Sequence, residues 1–331
     1  MRGTSHPGKA HENRHATQPE TGCQTRHEST HESTLGPGNA PGIAMSRCGI
    51  FFMHLMGRLP LAWVRALGWA LGWLLYAVAV PRRKVVWTNL RLCFPDWDNR
   101  RLREVATQTF IYFSQAWLDR GWLWHGAPAV TRQRLNIVGQ LDELLGHDPV
   151  VIFSPHFVGL DAGWTALTQQ VPRAFTTIYT HQANKAVDAW VLQGRKRFGD
   201  ATLFDRSAGP KPILAALRDA KLLYLLPDMN YGLPESVFVP FYGVPAATVT
   251  SLSRLARLGR AKVVPVVTRM TATGYDVQVM PSWQDFPGAD VTQDALRMNQ
   301  RLEEFINTMP SQYFWVHKRF KDRPAGVAPV Y

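Results

Sequence analysis

Three cysteines, Cys23, Cys48 and Cys93, are all that the 331 residues carry. They are too few and too scattered for a disulfide framework or a zinc cluster, and they fit a reducing compartment. No run of 18 or more apolar residues is free of charge, which excludes a polytopic membrane protein. No Gly-x-Ser-x-Gly elbow occurs, so the usual serine-hydrolase signature is missing. Residues 1–44 contain no Phe, Trp or Tyr and few large aliphatics, and they repeat His-Glu-Ser-Thr at 27–30 and 31–34. Such a segment cannot bury enough surface to offset the entropy of ordering, so a disordered tail is expected. His27 and His31 share a helical spacing, but poor helix formers surround them, and the tail reading outranks metal binding. Met45 opens a more protein-like stretch; it is the expected true start, with residues 1–44 a misassigned one.

What remains is sizeable. Apolar residues make up 46% of the chain, enough for one large domain or two modest ones. Four basic residues (Arg2, Lys9, Arg14, Arg26) and four acidic ones (Glu12, Glu20, Glu28, Glu32) cancel in the tail, so the net charge of +12 belongs to residues 45–331. A basic body points to an anionic partner: nucleic acid, acidic protein, phosphorylated substrate or anionic membrane. The aromatics lie in the hydrophobic N-terminal region and do not interleave with the basic runs, which argues against nucleic acid.

Residues 45–84 form the expected membrane-associated part. Ala66–Val80 is fifteen uncharged residues long, and Arg82, Arg83 and Lys84 follow at once. Fifteen residues of helix reach about 22 Å, short of a hydrocarbon core of about 30 Å. Leu59 and residues 61–63 could lengthen the stretch if Arg65 snorkels. A short transmembrane anchor, a helix in the interface and a buried core helix are all compatible with this pattern. Eight of the twelve tryptophans fall between residues 63 and 124, and Trp favours the headgroup zone. If the anchor spans, the basic run stays cytoplasmic. Residues 85–125 follow as helix, capped near Asp98, with Leu102, Val105, Phe110, Phe113 and Trp117 at core spacing.

From residue 150 the pattern alternates. Strands are expected at 150–153, 175–179, 222–226, 237–241, 262–268 and 275–280. Helices are expected at 160–171, 188–198, 211–220, 248–259 and 291–309. This predicts an α/β domain over 85–331, its sheet largely parallel and covered on both faces. Ligands in such sheets sit beyond the carboxyl ends of strands.

Directly after the first of these strands come Ser154, Pro155, His156, Phe157, Val158, Gly159, Leu160 and Asp161. A loop of this length can fold back and bring Asp161 to the imidazole of His156. A carboxylate on one ring nitrogen fixes the tautomer and leaves the other free to take a proton from a hydroxyl. The plain alternative is a structural histidine. Asp228 follows a later strand and would share the crevice if the strands are neighbours, or else form an Asx turn. Arg195, Lys196 and Arg197 could grip phosphate or form a solvated face. Arg254, Arg257, Arg260 and Lys262 are equally ambiguous. No zinc spacing is present, and no metal or cofactor is expected.

Several segments occur in one order: NLRLCFPDW, SPHFVGLDAG, LPDMNYG, VFVPFYGVPAAT, ARLGRAKVVPVV and QYFWVHKRFKDRPAG. Together they resemble the lipid A late (lauroyl/myristoyl) acyltransferases of lipopolysaccharide biosynthesis, over about residues 49–331. The resemblance implies a glycerophosphate-acyltransferase-like α/β fold behind an N-terminal inner-membrane anchor, with the catalytic domain on the cytoplasmic side. It implies acyl carrier protein as donor and a lipid A precursor as acceptor. It implies His156 and Asp161 as the catalytic pair, with Arg195 and Asp228 binding substrate or stabilising an oxyanion. Where relatives often carry an Ile/Val-Tyr-Arg-Pro segment, this chain has Ile178-Tyr179-Thr180-His181 and loses a positive charge near the site, for which His181 is only a minor candidate. An acyltransferase for another lipid and a non-catalytic lipid-binding protein remain alternatives.

Overall fold

The computed structural model describes the backbone from Ala40 and the side chains from Cys48, on to Tyr331. The expected tail up to residue 39, with His27 and His31, lies outside the described residues. Helix α1 (Ala40–Met56) runs through Met45. Helices α2 (Leu61–Val78) and α3 (Val80–Cys93) take up the apolar stretch and the basic run. Pro60 precedes α2 as its N-cap, where a missing N–H costs little. Helix α4 (Asn99–His125) is capped by the Asp98 carboxylate, which accepts from the Arg101 N–H. Of its expected core stripe Leu102, Val105 and Phe110 are buried, whereas Trp117 is exposed.

Helix α2 packs against α4 through Val64, Gly68 and Gly72, one residue per turn. A Cβ on Gly72 would stand 2.4 Å from Ile111 Cα, and one on Gly68 2.8 Å from Gln115 Cα, so side chains there would hold the helices apart. Arg65, expected to snorkel outward, points inward instead: its Nη2 lies 3.0 Å from the buried Asp119 carboxylate of α4. Burial pushes the Asp119 carboxyl upward, against Arg65 and the hydrogen bonds from Tyr275 and Trp122. The outer face leaves Trp63, Trp69, Trp73, Leu74 and Val78 exposed. The helix is long and apolar enough to cross a membrane, and only 17% of it is buried, so it is no core helix.

The remaining elements alternate as expected: α5 (Pro128–Arg134), β1 (Leu135–Gly139), β2 (Val150–Phe153), α6 (Leu160–Gln170), β3 (Phe175–Tyr179), α7 (Lys185–Arg195), β4 (Ala201–Asp205) and α8 (Pro210–Arg218). Then come β5 (Leu222–Leu225), β6 (Ser236–Phe241), β7 (Val244–Val249), α9 (Ser251–Gly259), β8 (Lys262–Met270), β9 (Tyr275–Val279) and α10 (Val291–Thr308). Among the described residues seven strands form one sheet in the order β1-β9-β8-β2-β5-β3-β4, and only the β8–β9 pairing is antiparallel. Alternate residues of β2 serve opposite faces: Val151 and Phe153 join one apolar cluster, Val150 and Ile152 the other. Helices cover both faces, which is why β2 and β5 are continuous apolar runs.

Three differences from expectation have local causes. The strand at 237–241 leaves the main sheet to pair with β7 in a hairpin. Thr248 and Val249, expected to open a helix, end β7 because their β-branched side chains suit its buried half. Strands β1 and β4 carry too little apolar alternation to stand out in the sequence; neither has a fully buried run.

Candidate active site

Strands β2 and β5 pair in parallel with Phe153 opposite Leu225. Three residues further on each chain segment stand His156 and Asp228, so the register alone brings them level. The His156 ring donates from Nδ1 to Asp228 Oδ1 at 2.7 Å, and its backbone N–H donates to Oδ2 at 2.9 Å. Tyr313 adds a third bond, its hydroxyl donating to Oδ2 at 3.1 Å. Asp228 is fully buried, and burial works to raise its carboxyl. The attraction of the imidazolium form of His156 and the bonds from its ring and backbone outweigh that, and hold it below the usual carboxylate range. The C-terminal segment pins the same loop: Phe314 N–H donates to His156 O at 3.0 Å, and Phe157 bridges to Tyr313. With Nδ1 committed, Nε2 of His156 has no protein partner among the described residues and is the basic nitrogen.

The expected fold-back of Asp161 onto His156 does not occur. Asp161 lies in the first turn of α6, and its carboxylate is taken by two guanidinium groups. Arg120 of α4 donates from Nε to Oδ2 at 2.8 Å, and Arg195, at the end of α7, from Nε to Oδ1 at 3.0 Å. Their Nη2 atoms lie 2.8 and 2.9 Å from the same two oxygens. Burial pulls the Asp161 carboxyl upward, but Arg195 and then Arg120 override it and hold it low. Two cations held at both oxygens outcompete a single imidazole, which has its own buried carboxylate in Asp228. Asp228 is thus no mere turn residue but the carboxylate held by His156. Gly159 is needed where the loop crosses the sheet: a Cβ there would stand 2.7 Å from Thr268 Cγ2.

His156, Asp161, Arg120 and Arg195 border one cavity of about 950 Å³ at the carboxyl ends of β2, β3 and β5. Its wall is apolar at Ile178, Ile213, Leu225 and Leu255, and Arg206 and Arg254 stand among the lining residues. A volume at the upper end of ligand pockets, with apolar side chains beside a group of arginines and carboxylates, suits an amphiphilic ligand.

Other expected residues sort themselves. Ser154 is buried and donates to the Tyr224 hydroxyl at 2.7 Å, so it is no nucleophile facing the cavity. Arg197 is not a solvated cation; it donates to the carbonyls of Leu123 at 2.6 Å and of Gly126, closing the end of α4. His181 is exposed and set between two carboxylates, 2.7 Å from Asp188 and 3.6 Å from Asp205. The hydrogen bond to Asp188 raises its pKa, and its charge is spent on that pair rather than on the cavity. Of the second basic cluster Arg254 lines the cavity, while Lys262 pairs with Glu143 at 2.5 Å. Arg120 was not marked by any sequence pattern, and Tyr313 was marked only as part of the QYFWVHKRFKDRPAG segment. Arg120 sits among tryptophans in WLDRGWLW, and Tyr313 lies in the C-terminal segment without an assigned role.

A histidine–carboxylate pair at the carboxyl edge of a mainly parallel sheet, opening on an amphiphilic cavity, is an α/β arrangement able to move a proton on a partly apolar ligand. The chain belongs to the bacterial lipid A biosynthesis acyltransferases, whose family model matches residues 39–322. It is similar to a lipid A biosynthesis acyltransferase of Haemophilus influenzae, 30% identical, with 84% of this chain and 88% of the relative covered. A lipid A biosynthesis lauroyltransferase of Escherichia coli is also 30% identical, over 88% of this chain and 96% of its own. Among solved structures a 1-acyl-sn-glycerophosphate acyltransferase, PlsC, from Thermotoga maritima overlaps loosely: TM-score 0.36 at 9% identity, over 74% of this chain and 97% of that one. The protein is therefore an acyltransferase, and its family acts in lipid A biosynthesis.

Proposed function

We propose that the protein transfers a fatty acyl group from acyl carrier protein to a hydroxyl on an acyl chain of a lipid A precursor. The observation that carries this reading is the His156–Asp228 pair at 2.7 Å, with the ring on a large amphiphilic cavity. His156 Nε2 takes the proton of the acceptor hydroxyl as its oxygen attacks the thioester carbon. The carbon–sulfur bond then breaks, the oxygen keeps the new ester bond, and the proton passes to the departing thiolate. Asp228 holds Nδ1–H and stabilises the imidazolium in between. No metal or cofactor takes part. Arg195 binds anionic substrate at the cavity wall. The positive charge of the body, with Arg206 and Arg254 at the cavity, suits an acidic carrier protein and a phosphorylated lipid.

The same reading places the enzyme on the inner membrane with the catalytic domain at its cytoplasmic face. Helix α2 lies in the interface rather than across the bilayer. Its inward Arg65–Asp119 pair and its glycine contacts fasten it along α4, which is itself built into the catalytic body. The exposed tryptophans on its other face meet the headgroup zone. Mass spectrometry of lipid A from cells lacking the gene, and from cells complemented with wild type or His156→Ala, tests the function. One acyl chain should disappear and return only with wild type; unchanged lipid A, with no redundant paralogue, would refute the acceptor.

A further inference from the structure

Arg120 and Arg195 come from helices 75 residues apart in sequence and meet on the one carboxylate of Asp161. One carboxylate cannot neutralise two guanidinium groups, so the cluster keeps a surplus positive charge at the cavity wall. Each arginine spends Nε and Nη2 on Asp161, and neither Nη1 has a protein partner among the described residues. Both planes are braced by aromatic rings: Arg120 lies 5.4 Å from the Trp124 ring centre, and Arg195 5.6 Å from that of Tyr179. Gly194 lets α7 close onto the same Trp124, where a Cβ would come within 2.2 Å of the ring. Trp164 donates from Nε1 to Arg195 O at 2.7 Å and fixes the end of that helix. Two braced guanidinium planes lining one cavity, each with Nη1 uncommitted, suit the several oxygens of a phosphate group better than a point anion.

We propose that Arg120 and Arg195 form a phosphate-binding fork, and that Asp161 is its positioning residue rather than the partner of the catalytic histidine. The inference rests on the acyl-transfer reading and deepens it. A phosphate here belongs either to the acylated disaccharide acceptor or to the prosthetic arm of the carrier-protein donor. Steady-state kinetics of the full chain in mixed micelles separates the two. The acceptor is supplied with and without its phosphates, and KM is measured for acceptor and donor in turn.

Arg120→Gln should raise KM for the phosphorylated acceptor roughly 10- to 100-fold, the usual size of a lost charge-assisted bond, with a much smaller effect on kcat. On the acceptor stripped of phosphate, variant and wild type should converge. A rise confined to donor KM would also support the fork and assign its phosphate to the donor. Arg120→Lys keeps the charge without the planar fork and should recover part of the loss. Asp161→Asn should follow Arg120→Gln in KM while keeping the wild-type pH profile of kcat, a profile that Asp228→Asn should change. Equal losses on both acceptors with donor KM unmoved, or a changed pH profile in Asp161→Asn, would overturn the proposal. Equilibrium binding of the same acceptors without donor reads the fork in the absence of turnover, so its failure and the failure of the acyl-transfer reading give different results.

Discussion

In the proposed mechanism His156 works through one nitrogen because the other is held. Asp228 accepts from its ring and from its backbone, so both the tautomer and the loop are set by one buried carboxylate. His156→Ala should abolish turnover with the fold intact. Asp228→Asn should cost about 10²- to 10⁴-fold in kcat, the range of a general-base contribution. Near-normal rates in either variant would dismiss the proposed mechanism. The two site carboxylates also tie stability to pH. Asp228 and Asp161 are both held below the ordinary value of 3.8, so their stabilisation is present above it and lost as pH falls through their folded-state values. Asp119, raised by burial, acts in the opposite sense: the fold favours its protonated form and loses that advantage as pH rises. The melting temperature of Asp161→Asn should lie below wild type at neutral pH, and the gap should narrow below about pH 4. A gap independent of pH would mean that Asp161 is not ionised in the fold.

Helix α2 is held by what it lacks. At Gly72 a side chain would collide with the backbone at Ile111, so Gly72→Val should push α2 off α4. Overpacking of this kind typically costs about 1–3 kcal/mol, read as a lowered melting temperature of the detergent-solubilised protein. The outer face is a separate matter. Replacing Trp63, Trp69 and Trp73 together by Ser should leave that melting temperature little changed but release the protein from anionic vesicles in a flotation assay. Retention of the triple variant on the vesicles would refute the interfacial seat. Helix α4 links the two roles, since it carries Asp119 under α2 and, one residue on, Arg120 at the cavity.

At the scale of the whole molecule the charge of +12 is a statement about encounter. If the donor is an acidic carrier protein, kcat/KM for it should fall steeply as ionic strength rises past the point where the screening length shrinks to about 10 Å. A donor step indifferent to salt would argue for a small thioester instead. The cavity lies where the sheet offers its carboxyl edge, and in the proposed reaction acceptor and donor meet there at His156.

The sequence by itself determined the α/β alternation, because buried parallel strands must be continuous apolar runs and their helices must carry one apolar stripe. It also placed His156, Asp161 and Asp228 at element ends, where sheet chemistry is done, with Arg195 on a helix, and the order of its segments pointed to the acyltransferase family. Only the tertiary structure decided who meets whom. His156 and Asp228 are 72 residues apart and become neighbours through the β2–β5 register, whereas Asp161, five residues from His156, is drawn to two arginines. Arg120 was invisible because a lone arginine among tryptophans has no spacing to mark it, and its role depends on a helix that closes over the sheet. Short-range patterns follow from chain periodicity; pairing across the sheet follows from strand order, which no local window contains.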